Sequence, residues 1–123
     1  MARILVVEDD EQVRTMLCMT LDWAGYEAHG APDGNVAIRM QRERPADLVV
    51  TDLIMPDKEG LEMIMDLRRE WPRTKIIAIS GGGRAGPGNY LSQALHLGAA
   101  RAISKPFDRE VLLGAIRELL EEA

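Results

Sequence analysis

Five short apolar runs alternate along this chain with longer segments of helical period, and that alternation leaves few folds open. Runs too short for helices read as strands buried on both faces, and strands separated by helices read as a parallel sheet covered on both sides. The runs are Ile4 to Val7, Tyr26 to His29, Leu48 to Thr51, Ile76 to Ile79 and Ala100 to Ile103. They predict an α/β fold: βα repeated five times, giving a doubly wound, five-stranded parallel sheet. In the second run Tyr26 and Ala28 alternate with Glu27 and His29, which suits a sheet edge. Val13, Leu17, Leu21 and Ala24 share one face of the first helical segment, and Val111, Ala115, Ile116 and Leu119 share one face of the last.

The punctuation agrees. Gly25 follows the first helix as a C-terminal cap would, Asp33 and Asn35 stand where the second begins, and Pro45 and Pro72 follow the second and third. With 123 residues, 46% of them hydrophobic, the chain is long enough for one self-supporting core, and 1–123 reads as a single domain. One cysteine, Cys18, permits no internal disulfide, and no apolar run approaches the ~20 residues of a membrane span, so a cytoplasmic protein is expected. A net charge of -5 without a basic run argues against direct binding to nucleic acid or an anionic membrane. Met16, Met19, Met40, Met55, Met63 and Met65 read as core and groove filler, Cys18 as a small half-buried hydrophobe, and Trp23 and Trp71 as caps over the core.

In an open parallel sheet, ligands bind outside the carboxyl ends of the strands, where strand order reverses. Glu8 and Asp9 follow the first strand, Asp52 the third, Ser80 the fourth, and Lys105 stands just past the fifth. Only the fold can gather residues so far apart in the chain. Each pair among the three carboxylates, at ~4 Å and an effective dielectric near 20, would repel by about 4 kcal/mol. Lys105 and one divalent cation would neutralise them, and an all-oxygen site suits Mg²⁺. His29, His96 and Cys18 fall away from these strand ends, which disfavours zinc. A carboxylate beside Mg²⁺ and a lysine can attack phosphorus, and Asp52, on the central strand, is the best nucleophile. Taken singly, each residue also has a structural reading: the acidic triplet as a helix cap, Asp52 as a turn residue before Pro56, Ser80 as loop chemistry, and Lys105-Pro106 as a helix boundary. Their joint occurrence on the ligand-binding rim is what favours function.

Ile4-Leu5-Val6-Val7-Glu8-Asp9-Asp10, the stretch Asp47 to Pro56 with Gly60 after it, Ile79-Ser80, Gly98-Ala99 and Lys105-Pro106-Phe107 occur in order along the chain. This set resembles the receiver domains of two-component response regulators, over essentially the whole length. The resemblance implies a flavodoxin-like receiver fold and a stand-alone signalling switch rather than an enzyme, one that promotes its own phosphotransfer and autodephosphorylation. Asp52 would accept a phosphoryl group from a sensor histidine kinase or a histidine phosphotransfer protein. Asp9 and Asp52 would ligate Mg²⁺ directly, Glu8 through water, and the Ile54 carbonyl would complete the protein ligands. Ser80 would close on the phosphoryl group, Lys105 would be its cationic partner, and the Lys105-Pro106 peptide is cis in many relatives.

Two features depart from the family pattern. Ala102 stands where relatives often carry the Tyr or Phe of an aromatic switch, and a glycine-rich patch from Gly81 to Gly88 lengthens the segment between Ser80 and Lys105. The patch lacks the Gly-Lys-Ser/Thr ending of a phosphate-binding loop, so nucleotide binding is not expected. Signal is instead expected to pass from Ser80 into this patch and a helix beginning near Asn89. Two other classes compete. A small-molecule phosphatase would need a second acid two residues after the nucleophile, where Ile54 stands, or a cap domain. A phosphorylation-independent interaction module of the same fold would tolerate a degraded site, whereas every site residue is intact here.

Overall fold

A computed structural model describes residues 1–53, 60–80 and 87–121, with the backbone alone at 87–91. The elements alternate throughout: β1 Arg3–Val7, α1 Glu11–Trp23, β2 Glu27–Ala31, α2 Gly34–Glu43, β3 Leu48–Asp52, α3 Gly60–Glu70, β4 Lys75–Ser80, α4 Pro87–Leu97, β5 Arg101–Ser104 and α5 Arg109–Glu121. All pairings are parallel and the sheet order is β2-β1-β3-β4-β5, so β2 is an edge strand as its alternation implied. Strand order reverses between β1 and β3, which opens a crevice at their carboxyl ends. No helix among the described residues is long and apolar enough to cross a membrane.

The inner strands β1, β3 and β4 are apolar on both sides because two cores flank them. Leu5, Val7, Val49, Ile76 and Ala78 pack with Met63, Ile64 and Leu67 of α3, Ala37 and Ile38 of α2 and Ala94 of α4. Ile4, Val6, Leu48, Val50, Ile77 and Ile79 face the other way, against Leu17 and Leu21 of α1 and Leu112, Ala115, Ile116 and Leu119 of α5. Between β3, β4 and the end of α2, fully buried Gln41 donates to Thr74 Oγ1 (3.2 Å) and accepts from the Ala46 amide (2.9 Å), so a polar side chain in the core is satisfied at both ends.

Local boundaries differ from the sequence expectation in ways that have causes. β2 starts at Glu27 because the Tyr26 amide is used to close α1 on the Leu21 carbonyl, with Gly25 in the left-handed region at φ 99°. α4 starts at Pro87 rather than near Asn89; proline's fixed φ suits a first helical position. On α5, Leu112 turns inward and Val111, one residue earlier and so rotated by about 100°, is 51% exposed. Ala24 caps α1 outside the core, and Trp23 is 79% exposed, lying beside the Arg109 guanidinium rather than over the core. Met16, Met19 and Met65 are also exposed, while Met63 is fully buried, Met40 and Trp71 pack at the core edge, and Met55 lies outside the described residues.

Candidate functional site

The rim at the carboxyl ends of β1, β3, β4 and β5 is where the sequence-predicted residues meet. β1 ends at Val7 and the chain turns at once into α1, for which Asp10 is the N-cap: its Oδ1 accepts from the amides of Gln12 (2.9 Å) and Val13 (3.2 Å). The capping reading of the acidic triplet therefore holds for Asp10, and it frees Glu8 and Asp9 to face the crevice. One carboxylate oxygen each from Glu8, Asp9 and Asp52 lies within 4.8 Å of the others. Glu8 is 3% and Asp52 9% exposed, whereas Asp9 is open to solvent.

Lys105 reaches into this group. Its Nζ donates to Glu8 Oε1 at 3.1 Å and to Asp52 Oδ2 at 3.5 Å. The lysine is placed from β4: its backbone amide donates to the Ser80 carbonyl (2.9 Å), and the peptide to Pro106 is cis. Burial works against the ammonium, but the charge of Asp52 and the contacts with Glu8 outweigh it and raise the Lys105 pKa. Glu8 is pushed up to about 6, first by burial and then by the negative charge of Asp52. A carboxyl raised in the folded state favours folding below its ordinary value of 4.5, and that contribution is lost as pH rises to about 6. Without divalent metal, the stability of the protein relative to a Glu8→Gln variant is expected to fall across this window; a constant difference in denaturant melts from pH 4 to 7 would contradict it.

Ser80 is the last residue of β4, on the same rim. It is fully buried, and its Oγ is the one buried side-chain polar atom among the described residues without a hydrogen-bond partner. An unsatisfied hydroxyl costs roughly 1–3 kcal/mol, which a ligand oxygen would relieve. The donor chemistry fits a hard divalent cation: three carboxylates, no imidazole and no thiolate. The Ile54 carbonyl, expected as a further donor, lies outside the described residues, as does 81–86 of the glycine-rich patch. Ala102 pairs with Ala78 in mid-strand, away from the carboxylates, and borders a recess of about 520 Å³ with Phe107 and Val111.

Gly60 has a role that no periodicity could reveal. At the start of α3, a Cβ there would lie 2.5 Å from the Asp52 carbonyl oxygen and 2.5 Å from Leu53 Cα. The helix thus rests directly on the strand end that carries Asp52. The only sequence signal was a glycine eight residues after the aspartate.

Comparison with known proteins agrees with the geometry. Residues 4–117 match the family model described as the response regulator receiver domain. The chain is 31% identical to the chemotaxis protein CheY of Thermotoga maritima over 95% of its own length and 96% of that protein. It is 29% identical to the regulatory protein AtoC of Escherichia coli over 97% of this chain but only 25% of that protein, so it spans about a quarter of that longer relative. A CheY-like receiver domain structure from Methanospirillum hungatei superposes with a TM-score of 0.91 at 28% identity, covering 99% of this chain and 95% of the other. The sheet order, the acidic rim and this match over most of its length agree that the chain belongs to the response regulator receiver domain family.

Proposed function

We propose that this domain is a phosphoacceptor switch in which Asp52 takes a phosphoryl group from a histidine kinase or histidine phosphotransfer protein, with Mg²⁺ held by Asp9 and Asp52 and, through water, Glu8. The observation that carries the reading is the convergence on one rim of three carboxylates, a lysine that bridges Glu8 and Asp52, and a buried hydroxyl without a partner. An Asp52 carboxylate oxygen forms the bond to phosphorus while the bond to the donor nitrogen breaks, its electron pair leaving with the donor imidazole. Lys105 and the Ser80 hydroxyl meet the charge on the phosphoryl oxygens. Asp9 and Asp52 would hold Mg²⁺, which when bound would supply Lewis-acid chemistry to the transfer. Hydrolysis at this site returns the carboxylate, so the domain resets itself without being an enzyme toward other substrates.

The test is intact-mass analysis after incubation with acetyl phosphate. One phosphoryl mass should appear with Mg²⁺, and neither a chelated sample nor an Asp52→Asn protein should acquire it. Labelling of Asp52→Asn would remove Asp52 as the acceptor, and labelling without divalent metal would remove the metal from the site.

A further inference from the structure

The turn carrying Glu8 and Asp9 has left the sheet, and its backbone needs partners that the strand ladder no longer provides. The Glu8 amide is still held by the Ala31 carbonyl of β2 at 3.0 Å. The Glu8 carbonyl accepts from Arg14 Nη1, at 2.9 Å, a side chain one turn into α1. Arg14 is only half-buried, and its stem reaches this carbonyl by lying across the edge strand at Gly30. A Cβ on Gly30 would stand 2.9 Å from Arg14 Cγ and 3.0 Å from Cδ. Gly30 therefore leaves the groove in which the arginine lies.

We propose that Arg14 is a positioning residue for the acidic site: by fixing the Glu8 carbonyl it sets the orientation of the Glu8–Asp9 turn, and Gly30 serves it by keeping its path open. The contact is to a backbone oxygen rather than to a carboxylate, so Arg14 orients the turn through a directed hydrogen bond, which a planar guanidinium does better than an ammonium. The same turn is braced on its other side by the Asp10 amide, which donates to Glu8 Oε2 at 3.2 Å, and by Asp10 capping α1. Losing the Arg14 bond leaves the carbonyl to water and lets the peptide between Glu8 and Asp9 rotate. Groups that orient metal ligands in this way are typically worth 10- to 100-fold in metal affinity.

This inference rests on the proposed Mg²⁺ site, and its test separates the two. Mg²⁺ affinity is measured by calorimetry on the wild type, Arg14→Ala, Arg14→Lys, Gly30→Ala and the Arg14→Ala/Gly30→Ala pair, alongside amide exchange at Asp9 and Asp10 without metal. Arg14→Ala should weaken Mg²⁺ binding about tenfold, with Arg14→Lys recovering part of the loss. Gly30→Ala should weaken binding in the wild type and have no further effect once Arg14 is absent. Amide exchange at Asp9 and Asp10 should quicken in Arg14→Ala even without metal. Wild-type affinity in a folded Arg14→Ala or Arg14→Lys protein overturns the proposal, as does a Gly30→Ala effect that persists without Arg14. If the wild type binds no Mg²⁺, the metal reading fails, and the exchange data alone then decide whether Arg14 holds the turn.

Discussion

A Gly60→Ala protein is expected to lose about 3 kcal/mol of stability, lowering its melting temperature by roughly 10 °C, although the substitution would ordinarily favour a helix. The added methyl meets the Asp52 carbonyl and Leu53 Cα, both at 2.5 Å, and these are backbone atoms that no rotamer change can move. The Asp52 carbonyl is already held by the Thr51 hydroxyl at 2.9 Å, and the Gly60 amide donates to the Leu53 carbonyl at 3.0 Å, so the strand end and the helix start are tied together. Relief requires α3 to back away from β3. That would loosen the packing of Met63, Ile64 and Leu67 and tilt the Asp52 side chain, so phosphorylation by acetyl phosphate should slow along with the loss of stability. A variant melting within about 2 °C of the wild type would show that the close approach is not structurally required.

Much of this site was legible because its residues follow apolar runs, and an apolar run in a parallel sheet has only one end at which a ligand can bind. Glu8, Asp9, Asp52, Ser80 and Lys105 could be placed on one rim without any knowledge of their distances. Helix faces were less legible. The sequence reading of the last helix turned Val111 inward, whereas packing in the core beside α1 and the sheet takes Leu112 instead. Contacts made by backbone were not legible at all. Arg14 holding a carbonyl, Gly30 clearing its path and Gly60 touching a strand end depend on how elements dock, and single-residue chemistry carries no trace of that. Trp23 shows the converse limit: a large aromatic at a helix end looks like a core cap, yet the neighbouring Leu21 fills the core and leaves the indole in solvent.

Replacing Lys105 by methionine should move two properties in opposite directions, and that opposition is diagnostic of its place in the site. Methionine keeps the apolar stem but removes the charge that lies 3.1 Å from Glu8 and 3.5 Å from Asp52. In metal-free protein Glu8 and Asp52 then lose this positive partner. Because the lysine is 31% exposed and partly screened, the expected cost is about 1–2 kcal/mol rather than the larger penalty of a fully buried pair. The same ammonium repels any divalent cation entering the group, so its removal should tighten Mg²⁺ binding, on the order of tenfold. Phosphorylation should nevertheless slow by about 10²- to 10³-fold, since the phosphoryl oxygens lose a preorganised positive partner. Calorimetry with Mg²⁺ and intact-mass time courses with acetyl phosphate read the two effects on one sample. Weaker Mg²⁺ binding in Lys105→Met would mean that the lysine serves to hold the carboxylates for the metal, and an unchanged phosphorylation rate would mean that it does not meet the phosphoryl group.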